Sequence, residues 1–408
     1  MKRISTIKAV GLILISSFIL HPSSFASDWP QFRGSGSTGY ATDSKLPETL
    51  KAQWAAVLPG RGLSSPIVVG DKVFITAASG PKQEKLHVIC FKAVDGGKVW
   101  ERQLKATGRT MAHEKTSVAA PSPCSDGKHI FALWSCNDLV AFDLEGNLLW
   151  TRGLTVDYAN ASNSLGMASS PMVVGETVVV VIENDSESYS LGIDVNTGRN
   201  LWKMERPKAA NWSSPIVYKA DAQSAPVVVL QSKDGLVAVD PATGSRLWEY
   251  TDGASTMSSS VAANGIIYAP SHGLTALKPD KNGAAPEQLW RNEQLNPSTI
   301  SPVVVGDSIY SINSASVMTV ASLKDGERGW KLRLTGPVSA SPVAAGKRIA
   351  VVSEKGVVQI VDTTAPEGAV TTQMQLPLLN NQLILSTPSL QGNSIFVRSD
   401  GHLWRLGE

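Results

Sequence analysis

The sequence predicts an all-β protein, an eight-bladed β-propeller of four-stranded antiparallel blades whose ring is closed by an N-terminal strand joining the C-terminal blade. Three observations predict it. A start mark recurs eight times, as Ser/Thr-Pro in seven; a Gly turn between two apolar runs follows every start but the fourth; and a second turn then runs into Trp in most units. Periods of this length belong to repeat architectures whose units stack on their neighbours.

The starts fall at Pro66, Pro123, Pro171, Pro215, Ser260 (Ser where the others have Pro), Pro302, Pro342 and Pro388, at intervals of 40 to 57 residues. Ser65-Pro66-Ile67-Val68-Val69-Gly70-Asp71 and Ser301-Pro302-Val303-Val304-Val305-Gly306-Asp307 show the text in full. A β-branched run, a Gly-polar turn and a second apolar run make a hairpin, because Gly accepts the positive φ of a tight turn. Units end as Asp194-Val195-Asn196-Thr197-Gly198-Arg199-Asn200-Leu201-Trp202 does, with further closing aromatics at Trp100, Trp150, Trp248, Trp290 and Trp330. A large aromatic once per unit reads as packing between blades. The seventh unit has Thr372-Gln373-Met374 where Trp is expected, and the fifth has Lys278 in place of the turn Asp, so these contacts are expected to be the loosest.

Ring closure is read from the two ends. The segment from Ala52 to Leu58, with Trp54, resembles a fourth strand lacking the first three, while Thr387 to Leu406 supplies three strands and stops. Joined, they complete the eighth blade, and closure removes the sheet edges that a flat array would expose. Two β-sandwiches of similar total length are the alternative. The expected organisation is a signal peptide over 1–26, an N-terminal extension over 27–51 and the propeller over 52–408, with no stretch of helical period after the signal peptide.

Lys2, Arg3 and Lys8, the apolar run from Ala9 to Leu20 and Ser24-Phe25-Ala26 form the signal-peptide pattern. The apolar run is too short for a membrane span. No Cys follows the cleavage site, so a lipid anchor is not expected there. Removing this segment takes the formal charge from +2 to −1, and no basic patch for nucleic acid remains. Cys90, Cys124 and Cys136 are an odd count; a hairpin turning at Asp126-Gly127 sets Cys124 opposite His129 and leaves Cys136 far along the strand, so unpaired thiols are expected.

No catalytic or metal-ligating constellation is legible. His87, His113, His129, His272 and His402 are scattered singly, without zinc spacing. Asp143, Glu145, Asp185 and Glu187 read as solvated turn tips. Residues just before each innermost strand converge on one mouth of the central channel: Arg61-Gly62-Leu63, His113-Glu114-Lys115, Ser162-Asn163, Asn211-Trp212, Thr256-Met257, Ser298-Thr299 and Ser339. Of these, Arg61, His113, Lys115, Asn211 and Trp212 are the candidate ligand-binding residues, since cations, an imidazole and an indole around one opening suit an anionic or planar ligand.

The text from Ala238-Val239-Asp240 to Trp248 resembles the repeat of quinoprotein alcohol dehydrogenases and of pyrroloquinoline quinone (PQQ)-like propeller proteins. Asp28-Trp29-Pro30-Gln31-Phe32-Arg33-Gly34, Pro59-Gly60-Arg61-Gly62 and Asn211-Trp212-Ser213-Ser214-Pro215 are similar to exported PQQ-like proteins of planctomycete-type bacteria. The resemblance implies eight blades with each Trp, from Trp54 to Trp330, docked against the neighbouring blade. Dehydrogenases of this kind carry adjacent cysteines over the quinone and longer chains; this chain has neither. The expected function is therefore a non-catalytic binding or scaffold propeller, periplasmic or secreted and monomeric, contacting a protein, peptide or glycan of the cell envelope without a cofactor. It is similar in this to the β-propeller lipoprotein of the outer-membrane barrel assembly machinery. The alternative is a dehydrogenase-like quinoprotein using PQQ with calcium.

Overall fold

In the computed structural model, which describes residues 28–161, 165–280, 283–379 and 382–408, each start opens an innermost strand. These strands are Ile67–Val69, Cys124–Ser125, Met172–Val174, Ile216–Tyr218, Val261–Ala263, Val303–Val305, Val343–Ala345 and Ser389–Gln391, and they define blades 1 to 8 in that order. Each begins a four-stranded antiparallel meander running outward from the channel. Proline suits the head of such a strand, because it lacks the N–H a ladder position would need and holds the preceding residue extended. The signal-peptide segment and Ser162-Asn163 lie outside the described residues.

Blade 8 closes the ring as the sequence suggests. Lys51–Val57 pairs antiparallel with His402–Gly407, placing Trp54 opposite Arg405 across a bulge. Blade 7 departs from four strands: Tyr40–Ala41 adds a fifth, parallel to Ala344 and Ala345 on the channel side. A short helix, Leu154–Asp157, follows blade 2, so helix is not absent from the chain. Cys124 stands opposite Phe131 rather than His129, because the turn is longer than the Asp-Gly pair alone implies. All three thiols are free and buried, and burial pushes Cys90 up to about 12.

The core lies between blades. Phe74 and Cys90 of blade 1 pack with Ile130 and Phe142 of blade 2, and Trp100 caps that cluster at 6.0 Å from the Phe142 ring. Each closing indole reaches over the next blade's last turn. Trp54 Nε1 donates to Ala93 O (3.0 Å), Trp100 to Leu144 O (2.9 Å), Trp150 to Val195 O (2.9 Å), Trp202 to Pro241 O (2.8 Å) and Trp290 to Leu323 O (2.9 Å). Trp330 lies over Gly368, and Trp248 is buried among Tyr218 and Leu236 of its own blade and Ile267 of blade 5. The turn glycine is doubly required: Gly198 has φ +68°, and a Cβ there would stand 2.7 Å from the Trp150 ring.

Blade 7 has no closing Trp, and the N-terminal segment covers its flank instead. Lys45 N–H donates to Gly392 O of blade 8 (3.0 Å), Arg348 Nη1 of blade 7 donates to Leu46 O (3.4 Å), and Thr372 Oγ1 donates to Glu48 O (2.6 Å). Leu46 is buried, and Met374 packs against the same cluster.

Candidate functional site

The residue before each Pro mark builds a belt around the channel. Its N–H donates to the hydroxyl of the equivalent residue in the next blade: Ser65 to Ser122 (2.8 Å), Ser122 to Ser170 (3.0 Å), Ser170 to Ser214 (3.0 Å), Ser214 to Ser259 (2.9 Å), Ser259 to Ser301 (2.9 Å), Ser301 to Ser341 (3.0 Å) and Ser341 to Thr387 (3.1 Å). The Ser/Thr half of the motif is thus an inter-blade clasp, small enough to line a narrow ring and able to accept an otherwise orphaned amide. Only the seam between blades 8 and 1 lacks the link, and Ser65 Oγ has no partner among the described residues. In blade 5, where Ser260 replaces Pro, the freed N–H donates to Gln231 Oε1 (3.0 Å).

One end of the channel is stopped by residues 28–41. Trp29 exchanges two hydrogen bonds with Val68 (2.9 Å each), Pro30 O accepts from Ser125 N–H (2.8 Å), and Gly39 O accepts from Ala344 N–H (2.7 Å). Arg33, fully buried, spans the bore to donate to Ser260 O (3.1 Å) and to Pro302 O. Burial lowers its pKa to about 9. Gly34 turns the chain at φ +72°, where a Cβ would strike Trp29 at 2.7 Å. The Asp28–Gly34 run, legible in the sequence only as a likeness, is therefore a plug touching blades 1, 2, 5 and 6.

Above the plug the channel opens as a blind cavity of about 450 Å³, with Phe32 and all eight belt residues in its lining. His113, Lys115 and Trp212 of the expected mouth residues line it, beside Leu63, Leu165, Met257, Thr299 and Ser339. Trp212 Nε1 is fixed by Gly166 O (2.9 Å), and His113 Nδ1 accepts from Lys115 N–H (3.1 Å). Exposed Leu165 and Met257 give the rim an apolar character.

Arg61 and Asn211, expected at the mouth, are not in this lining. Arg61 Nε pairs with Asp400 (3.3 Å), and its guanidinium donates to Glu114 O, tying loops of three blades together. Asn211 is buried, its amide donating to Glu183 Oε2 (3.0 Å) and Gln231 O (2.8 Å). Glu183 in turn holds Arg206 Nε at 2.7 Å, and burial pushes its carboxyl up against the pull of that cation. Two neighbouring glycines are explained by close approach: a Cβ at Gly62 would meet the Arg398 guanidinium at 2.7 Å, and one at Gly60 would meet Ala78 O at 2.3 Å.

A calcium-bound quinone does not fit this lining. Its polar groups are hydroxyls, an imidazole and an ammonium, with no carboxylate among them, whereas a hard cation takes carboxylate and carbonyl oxygens.

The family model for outer membrane protein assembly factor BamB, PQQ_2, matches residues 45–162, 84–331 and 275–370. Outer membrane protein assembly factor BamB of Bordetella pertussis is 24% identical over 95% of this chain and 92% of that protein. Among solved structures, BamB from Moraxella catarrhalis aligns at 17% identity and TM-score 0.62 over 88% of this chain and 98% of that one. Quinohemoprotein alcohol dehydrogenase from Comamonas testosteroni aligns at 13% identity and TM-score 0.68 over 94% and 81%. Likeness at these identities speaks for the shared propeller, not for a shared activity. The family matches, which together run from residue 45 to residue 370, show that the chain belongs to the PQQ-like repeat family of outer membrane protein assembly factor BamB.

Proposed function

We propose that this protein is a scaffold of the cell envelope that acts in outer membrane protein assembly, docking a protein or peptide partner over the open channel mouth. The observation that carries the reading is the rim: Leu165 is 41% and Met257 43% exposed on either side of Trp212, above a blind cavity with Lys115 at its edge. An indole set among exposed apolar side chains on a rigid frame is the usual anchor of a protein interface. The relatives' names support the assembly role, and the signal-peptide pattern over 1–26 supports a periplasmic location. Blade edges offer a second mode of attachment, by addition of a partner strand.

A photo-crosslinking residue placed at Met257, and separately at Lys219 near the plugged end, tests this in cells. The expected result is crosslinks from Met257 to components of the barrel assembly machinery, reduced at least tenfold by Trp212→Ala. Crosslinks from Lys219 alone, or reduction of a redox dye with an alcohol after loading with PQQ and calcium, overturn the proposal.

A further inference from the structure

Blade 1 carries an arrangement that neither the ring nor the channel mouth uses. Ser79 ends its second strand, Lys72–Ser79; His87 stands in the third, Lys85–Lys92; Glu101 stands in the fourth, Lys98–Lys105. The register sets Ala77 opposite His87 and Ile89 opposite Glu101. Period-two alternation then turns all three side chains to the face that meets blade 8. There they form a chain: Ser79 Oγ lies 2.7 Å from His87 Nε2, and His87 Nδ1 lies 2.8 Å from Glu101 Oε1.

The carboxylate dictates the direction of that chain. An ionised Glu101 only accepts, so the imidazole carries its proton on Nδ1 and presents Nε2 to the Ser79 hydroxyl as a base. Burial works against the charge on Glu101, but hydrogen bonds from Lys98 (2.7 Å, to the other oxygen) and His87 together hold its carboxyl below the usual value. His87 is buried, while Ser79 and Glu101 are partly open to solvent, so the base is sheltered and the hydroxyl can be reached. Beside the chain a groove of about 200 Å³ runs between blades 8 and 1, walled by Val57, Leu58, Pro59, Ile89 and Phe91, with Glu101 and Lys98 at its polar end. Ser79 and His87 are not in that lining, so the groove meets the chain at its carboxylate end.

We propose that Ser79, His87 and Glu101 are the nucleophile, base and orienting acid of a hydrolytic site that cleaves carboxylic esters. Ser79 Oγ bonds to the ester carbonyl carbon as His87 Nε2 takes its proton. That proton passes to the alcohol oxygen as its bond to the carbon breaks. Water then adds to the acyl-Ser79 carbon, giving a proton to Nε2, and the same proton returns to Oγ as the carboxylic acid leaves. Glu101 holds the tautomer and the imidazolium throughout, and needs no proton of its own.

The test uses the intact protein, a fluorophosphonate probe with peptide mapping by mass spectrometry, and hydrolysis of p-nitrophenyl butyrate. Ser79 is expected to be the labelled serine, with the hydrolysis lost in Ser79→Ala. His87→Gln is expected to slow labelling by about 100-fold or more, the usual worth of a positioned base. Thermal melting of each variant shows that the ring stays folded, and labelling of the unmodified protein decides the matter even where a variant does not fold. No label at Ser79, or an equal labelling rate in a folded His87→Gln variant, overturns the proposal and leaves the three residues as a bracket across blade 1.

Discussion

Replacing a turn glycine by alanine separates backbone strain from aromatic docking within one blade. Gly175 and Gly198 both lie in blade 3, with φ +59° and +68°, so alanine at either meets the same left-handed penalty of about 1–2 kcal/mol. At Gly175 nothing lies within 4 Å of the added Cβ. At Gly198 the Cβ would stand 2.7 Å from Cδ2 and 2.8 Å from Cε3 of Trp150, so the indole must lift off the turn. Overpacking of this kind costs about 1–3 kcal/mol. Lifting also stretches the 2.9 Å bond from Trp150 Nε1 to Val195 O, worth about 1 kcal/mol. Gly175→Ala should therefore lose about 1–2 kcal/mol and Gly198→Ala about 3–6, measured by urea unfolding. In a Trp150→Ala background the excess cost of Gly198→Ala should vanish, which a double-mutant cycle reads directly. Equal costs for the two single variants, within about 0.5 kcal/mol, would refute the claim that docked indoles hold neighbouring blades together.

Two further outcomes follow from the belt and from the turns. Ser170→Ala, which leaves the Ser122 N–H without its acceptor, should cost about 1–3 kcal/mol in urea unfolding, whereas Ser65→Ala, whose hydroxyl accepts no bond, should cost under about 0.5. Hydrogen bonds from Thr197 and from Thr364 hold the turn carboxyls Asp194 and Asp362 below their ordinary value near 3.8. Their contribution is complete above that value and is lost as pH falls through the lowered folded values. The urea midpoint should drop as pH is taken below about 4, and drop less in the double variant Asp194→Asn, Asp362→Asn.

What the sequence disclosed and what it hid divide along the range of the interactions. Ser-Pro starts, Gly turns and closing indoles are local and recur once per blade, so eight copies average out the irregular ones and the ring can be counted. The roles of Arg33 and Phe32 are invisible by the same logic: they occur once and obey no period, and Arg33 meets Ser260 and Pro302 more than 200 residues away. The inward turn of Asn211 is not legible, because position before an inner strand fixes where the backbone goes but not which way an amide turns, and here it turns to the buried Glu183–Arg206 pair. Ser79, His87 and Glu101 come together only through the strand register of blade 1, which a list of isolated histidines does not contain.

The plug and the closing strand lie next to each other in the chain, and this fixes an order of events. Residues 28–57 are made early, yet their hydrogen-bonding partners extend to Ala344 and to His402–Gly407, which are made about 300 residues later. Until then the growing arc has two raw apolar flanks and an unstopped bore. A nascent protein of this shape has a long vulnerable interval, followed by one latching step that seats the plug and the closing strand together. Loss of the final blade would not yield a smaller circle; it would strand the opening segment as well, and the whole chain would be left ajar.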